Sequence, residues 1–289
     1  SVPIEIRPVQ SIPEYRAIEQ LQREIWGLDD VEIVPDHVLL TAHKNGGLVL
    51  GAFDVQPAIG EERLIGFVFG FLGLTPEGRL KHCSHIAGVA PAYQNQNVGY
   101  RLKLAQREFV LGQGIELITW TFDPLESRNA RLNFHKLGVT CNTYLRDLYG
   151  GMRDALNVGL PSDRFQVDWY IKSSNVVNRL RGEYPTPGLQ ALLAGGAVVV
   201  NRALPNNLPR PPETTLPLEG EQLLIQIPAN FQAIKSADMG LARAWREHSR
   251  ALFEAAFARG YVAVDLLFEA GESFYLLTYE DRTRRTASD

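Results

Sequence analysis

His85 and Asp123 are the side chains in this sequence best placed to move a proton at neutral pH. His85 lies in the run Ser84-His85-Ile86-Ala87-Gly88-Val89, and an imidazole with an unperturbed pKa near 6.5 suits a general base. A histidine satisfied within a strand is the structural alternative. Asp123 follows the apolar run 115–122 and precedes Pro124, which fits either a base at a strand end or a turn aspartate. Cys83 could act as a nucleophile, although a buried, inert cysteine is common. His82, Cys83 and His85 do not make a metal site, because alternation sets His82 on the opposite sheet face and no carboxylate pattern completes a ligand set. Arg164, next to Asp163, offers a two-pronged donor for a substrate carboxylate or a salt bridge.

Residues 84–112 read as strand, tight loop and helix. The apolar run ends at Pro91, a polar turn follows at Gln94, Asn95, Gln96 and Asn97, and Val98, Leu102, Ala105 and Phe109 recur at helical spacing. Asn97 and Gly99 tolerate positive φ, so the loop can curl around an anion with its N–H groups and the helix N-terminus pointing inward. Arg101, Lys103 and Arg107 add positive charge nearby. A pyrophosphate fits that description.

The same stretch resembles the acyl-CoA-binding motif of the GNAT superfamily of N-acyltransferases. Val89, Pro91, Tyr93, Gln94, Val98 and Gly99 fall on matching positions, while Asn95 and Asn97 stand where glycines are usual. A second piece, Ser127, Ala130, Phe134, Lys136, Leu137 and Gly138, resembles a helix of that family, with Ser and Phe in place of the usual Asn and Tyr. The resemblance spans about residues 4–172. It implies an α/β (α+β) fold: a GNAT-like mixed, mostly antiparallel sheet flanked by helices, with an additional C-terminal α/β region.

The resemblance also implies the chemistry. Acyl-CoA, as acetyl-CoA or succinyl-CoA, is the co-substrate, and the acceptor is a small-molecule amine, with amino acids the class suggested by sequences bearing this extended C-terminus. Main-chain groups of Ile86, Ala87 and Val89 would hold the pantetheine arm and thioester. Gln94, Asn95, Gln96, Asn97, Val98, Gly99 and Tyr100 would hold the pyrophosphate, with Trp120 opposite as a substrate contact. The family's general-acid tyrosine falls on Phe134, which has no proton to give. Tyr93, Tyr100, Tyr144 or Tyr149 could substitute, the thiolate could leave unassisted, or the chain could be a catalytically degenerate CoA-binding or ligand-sensing module.

These groups need a scaffold. Residues 4–7 alternate as a strand, and Ser11 or Pro13 opens a helix through Ile18, Leu21, Ile25 and Trp26 that Gly27 ends. Residues 48–53 and 64–72 are apolar strands joined by a turn at 57–61, and with the strand at Ser84 they form an antiparallel meander. A strand at 115–122 precedes a helix capped by Ser127 or Asn129 and stopped at Gly138. Strands are expected near 139–148 and 165–172, the latter alternating Phe165, Val167, Trp169 and Ile171 with polar partners.

The division expected is 1–180 for the acyltransferase-like domain and 181–289 for a C-terminal extension. That extension holds a short strand at 197–200, an extended proline-rich stretch, a strand at 223–227 and a loop at 232–240. A long amphipathic helix carries Arg243, Arg246 and Arg250 off its apolar face, and a hairpin turns at Ala270-Gly271. It reads as a degenerate second half, or as a scaffold that flanks the acceptor site or builds a homodimer. The tail, 281–289, is expected to fray.

Composition excludes several classes. Of 289 residues, 45% are hydrophobic and 21% charged, with a formal net charge of −4; this is a folded-protein composition without a basic block, so nucleic-acid binding is not expected. The greasy stretch 64–74 is far too short for a bilayer, and no signal peptide or membrane association is expected. Two cysteines make no disulfide framework, which fits a cytoplasmic location.

Overall fold

Alternating Ile4 and Ile6 start the chain as β1 (Ile4–Pro8), which pairs antiparallel with β2 (Leu48–Asp54). The computed structural model describes residues 2–56, 60–151 and 159–280, and the chain packs as two compact units, Ser1–Trp120 and Thr121–Asp289.

In the first unit α1 (Ile12–Trp26) begins where the Ser11 hydroxyl accepts from the Glu14 N–H, and ends at Gly27, whose φ of 60 lets its N–H return to the Arg23 carbonyl. The helix α2 (Asp36–Lys44) follows. The expected meander is present as β2, β3 (Arg63–Leu74) and β4 (Leu80–Val89), all antiparallel. From β4 the chain passes through a single 3-10 turn (Pro91–Tyr93) into α3 (Val98–Gly112) and returns as β5 (Leu117–Phe122), parallel to β4. The strand order is β1-β2-β3-β4-β5. Val98, Leu102, Ala105 and Phe109 of α3 join α1 and the strands in one apolar core. At Gly70 a methyl group would lie 2.1 Å from His82 Nε2, and at Gly88 2.7 Å from the Trp26 ring, so close approach requires glycine at both.

In the second unit α4 (Ser127–Ala130) widens into a π-helical turn over Arg131–Lys136, where the Leu137 N–H reaches the Leu132 carbonyl; Gly138 ends it at φ 76. Then come β6 (Thr140–Leu145), β7 (Arg164–Tyr170), α5 (Ser174–Leu180), α6 (Leu189–Ala194) and β8 (Val198–Val199). The proline-rich stretch adds only a bridge between Leu204 and Arg210. The unit closes with β9 (Gln222–Ile227), α7 (Phe231–Ala237), α8 (Met239–Ala258), β10 (Tyr261–Glu269) and β11 (Glu272–Tyr279). Its order is β7-β6-β10-β11-β9-β8, antiparallel except for β8 with β9. Ala270 (φ 49) and Gly271 (φ 78) make the hairpin turn, both left-handed as a two-residue turn of this twist demands. Phe165, at the centre of the core, meets the rings of Phe122, Phe134, Tyr144, Phe253, Phe257 and Tyr275.

The succession βα, ββ, βαβα, ββ through β7 is the order the GNAT resemblance implies, with α2 inserted. The fold class is mixed α/β with mostly antiparallel strands flanked by helices, as expected. Beyond the helices α2, α5 and α6, which the sequence reading did not contain, four details differ from it. The helix after Asp123 starts at Ser127 rather than being capped by it. Residues 232–240 are not a loop but the body of α7 and the start of α8, with Asp238 capping α8 through the Leu241 N–H. Arg246 is buried rather than off the packed face. Arg164 is the first residue of β7, not a loop residue. The turn expected at 57–61 falls largely, and the tail 281–289 wholly, outside the described residues. Among the described residues no helix is long and apolar enough to cross a membrane.

Candidate functional site

Strand β4 changes partners in the middle. On one side Phe69 pairs with Ile86 and Gly70 with Ser84, which leaves His85 as an extra residue in a bulge. On the other side the parallel ladder to β5 holds only His82 with Ile118 and Cys83 with Thr119. Beyond Cys83 no ladder pair joins β4 to β5 among the described residues, so that edge of β4 from Ser84 to Val89 leaves the ladder. Ile86, Ala87 and Val89 lie on that edge. Bulges re-aim side chains next to functional sites, and here the bulged residue is the exposed His85. Its ring stands against Phe69 and Phe71, with centroids 5.9 and 6.0 Å away, and burial of its flank pushes its pKa below the usual histidine value.

At the far end of β4 the chain turns through a polar loop into α3. Asn97 adopts the left-handed conformation (φ 63, ψ 19) and, although it stands at the N-cap of α3, its side chain makes no capping hydrogen bond. The caps of α1, α5, α7 and α8 are filled by side chains, whereas those of α2, α4 and α6, like that of α3, are not. The first-turn N–H groups of a helix have no intrahelical partner, so those of Val98, Gly99 and Tyr100 are offered outward. Gly99 has helical φ, unlike Asn97, and a methyl group there would touch only Val89 Cγ2, at 4.0 Å. A cleft of about 770 Å³ lies beside the loop, lined by Val2, Ile4, Gln56, Asn95, Gln96, Asn97 and Arg101. Of the three expected cations, Arg101 alone lines it, with one prong held by the Ile4 carbonyl at 2.7 Å. Arg107 pairs with Glu108 at 3.0 Å, and Lys103 points into the unit's interior.

Lys103 is buried behind β4. Its Nζ donates to Ser84 Oγ (2.8 Å) and Gln106 Oε1 (3.2 Å) and lies 3.9 Å from the centroid of the Trp120 ring. The expected substrate contact Trp120 thus covers a lysine. The Gln106 amide donates to His82 Nε2 at 3.0 Å, while His82 Nδ1 has no partner among the described residues. Burial, with the nearby Lys103 charge, pushes His82 down to about 4, and burial pushes Lys103 down to about 7. The chain Lys103, Ser84, Gln106 and His82 was missed in the sequence. Its one signal is four polar residues on inward positions of a strand and a helix.

The remaining expected residues lie in the second unit. Both oxygens of Asp123 are held by Arg246 at 2.7 Å, and Oδ1 also accepts from the Leu125 N–H at 2.9 Å. Despite desolvation, Arg246 and these bonds hold its carboxyl below the usual range. Asp123 is therefore corrected from candidate base to turn aspartate in a buried ion pair. Arg164 donates to the Asp163 carbonyl (2.8 Å), comes within 3.9 Å of Asp123 and lies 5.6 Å from the centroid of the exposed Tyr149 ring. Phe134 is fully buried between Phe122, Phe165 and Tyr275. Among the candidate acid tyrosines, Tyr93 donates to Asp54 (2.7 Å) and Tyr144 to Asp163 (2.6 Å); Tyr149 is exposed, its hydroxyl 3.2 Å from Thr121 Oγ1.

No protein-family model and no curated protein matches this chain. Solved structures resemble it over part of its length. Arabidopsis thaliana NAA60 in complex with a bisubstrate analogue shares 16% identity at a TM-score of 0.47, covering 58% of this chain and 99% of its own. A component of the NatC complex bound to Gag peptide and CoA shares 14% at 0.45, covering 58% and 98%. An acetyltransferase of the GNAT family from Streptococcus pneumoniae shares 13% at 0.45, covering 57% and 98%.

Proposed function

We propose that this protein is an acyl-CoA-dependent N-acyltransferase acting on a small-molecule amine by direct transfer. The observation that supports it most is the uncapped first turn of α3 behind left-handed Asn97, where Gly99 faces Val89 at the end of the β4 edge that leaves the ladder. A helix N-terminus with free N–H groups favours a phosphate, and the open space at Gly99 admits one closely. The free edge of β4 offers main-chain groups for the amides of a pantetheine arm. In the transfer, the neutral amine attacks the thioester carbonyl, the C–N bond forms and the C–S bond breaks. The amine proton passes to a base, and the thiolate takes a proton as it leaves.

His85 is the base in this reading, since its lowered pKa keeps it neutral and proton-accepting at pH 7. The acceptor class we assign is an amino acid, with Arg164 the candidate to meet its carboxylate, as arginines do. The acyl donor we assign is acetyl-CoA or succinyl-CoA, and residues 1–180 the portion that carries the activity. A second reading, a CoA-binding module without turnover, draws on the buried Phe134 and the engaged hydroxyls of Tyr93 and Tyr144.

Thiol release from acetyl-CoA and succinyl-CoA, measured over a panel of amino acids and simple amines, tests both. Amine-dependent release supports the transferase. Binding without release supports the second reading, and no CoA binding overturns both.

A further inference from the structure

Lys103 is a buried lysine whose hydrogen bonds go to neutral oxygens. Its residue is 7% exposed, and among the described residues its contacts are Ser84 Oγ, Gln106 Oε1 and the Trp120 ring. The comparison within this chain is Lys235, equally buried, which has Glu126 at 3.6 Å. An ammonium out of water without an opposite charge is costly, and the cost shows in a pKa lowered to about 7 by burial. A hydrophobic residue would pack there more cheaply.

The place is as informative as the charge. The β4–β5 ladder ends at Cys83 with Thr119. Ser84 is the first β4 residue beyond that pair, and Trp120 the first β5 residue beyond it. Lys103 touches both, so its Nζ sits where the two strands part, on the sheet face of Ser84 and His82. The bonding also leaves room for exchange. Gln106 Oε1 is served by Ser84 Oγ at 3.4 Å as well as by Lys103. The ammonium can therefore turn one N–H to an incoming oxygen without leaving Gln106 unsatisfied.

Resting on the acyltransferase reading, we propose that Lys103 donates a hydrogen bond to the thioester carbonyl oxygen of the bound acyl-CoA and stabilises the negative charge that oxygen gains during transfer. As the amine adds, the carbonyl π electrons move onto oxygen and face the ammonium; when the C–S bond breaks they return, and the sulfur carries its electron pair away. No proton leaves Lys103. The buried positive charge is compensated by the reaction itself. Fixed donors aimed at such an oxygen act strongly because water is excluded.

The test is Lys103→Met, which keeps length and leaves Ser84 and Gln106 bonded to each other. With acetyl-CoA and the best amine, kcat should fall on the order of 10²–10³-fold, the scale of one lost oxyanion donor. The dissociation constant for CoA, which has no acyl oxygen, should stay within about threefold by calorimetry. Unchanged kcat overturns the proposal and leaves the acyltransferase reading standing, as does loss of CoA binding in parallel with kcat, which would make Lys103 structural. Absence of turnover in the native protein overturns that reading itself. Should Lys103→Met fail to fold by circular dichroism, Lys103→Gln replaces it under the same outcomes.

Discussion

His85 stands edge-on to Phe69, ring centroids 5.9 Å apart and planes at 90°, at the point where β4 carries one residue more than β3. The bulge turns the imidazole outward and the phenyl rings lower its pKa. A base works when deprotonated, so kcat/KM should hold at pH 7 and fall on the acid side, with a midpoint below 6.5. His85→Ala should remove that limb and cost on the order of 10²–10⁴-fold. An unchanged pH profile would return His85 to a structural role.

The Arg246–Asp123 pair ties α8 to the turn after β5. Arg246→Met leaves a carboxylate 13% exposed without its bidentate partner, which should cost roughly 3–5 kcal/mol in urea unfolding. Asp123→Asn together with Arg246→Met should recover part of that loss. A single-variant loss below about 1 kcal/mol would show that the pair is not what holds this turn.

Phe134→Tyr restores the residue the family motif has there, yet Phe134 is fully buried among rings. A hydroxyl placed in that cluster should destabilise by about 1–3 kcal/mol. We expect thiol release to change less than tenfold, well under the ~10²-fold of a good general acid. A gain of 10²-fold would show that the native protein lacks only its acid.

His82 makes stability depend on pH. Its pKa is about 4 in the fold against 6.5 when unfolded, so between those values the unfolded chain binds more protons. Stability from keeping His82 neutral is complete above 6.5 and falls as pH drops toward 4, by roughly 3 kcal/mol. In urea melts at pH 7, 5.5 and 4, the advantage of native protein over His82→Gln should shrink with acidity. A constant gap would contradict the buried neutral imidazole.

The sequence made the scaffold legible wherever one local rule sufficed. Ser11 and Gly27 bound α1, alternation marked β7, and Asn97 was readable as a left-handed residue because Asn tolerates positive φ. The helix α2 escaped because Pro35 gives no side-chain cap and Leu39 is its one fully buried residue. Arg246 looked like a solvent residue because helical periodicity cannot see Asp123, 123 positions away in sequence. The bulge at His85 left no trace either, since it depends on how Phe69 and Gly70 register against β4. For the same reason the sequence groups Lys103 with Arg101 and Arg107 as cations near the loop: only the packing of α3 on β4 turns it inward.

If CoA binds at the first turn of α3, as proposed, Gly99→Val removes the room for it. Gly99 has helical φ and open space where a side chain would go, so valine should leave the fold intact while occupying the volume the pyrophosphate needs. Calorimetric titration with acetyl-CoA should give saturable binding to the native protein and at least a 10²-fold weaker Kd for Gly99→Val at an unchanged melting temperature. Equal binding by both proteins would mean that CoA does not bind at this turn.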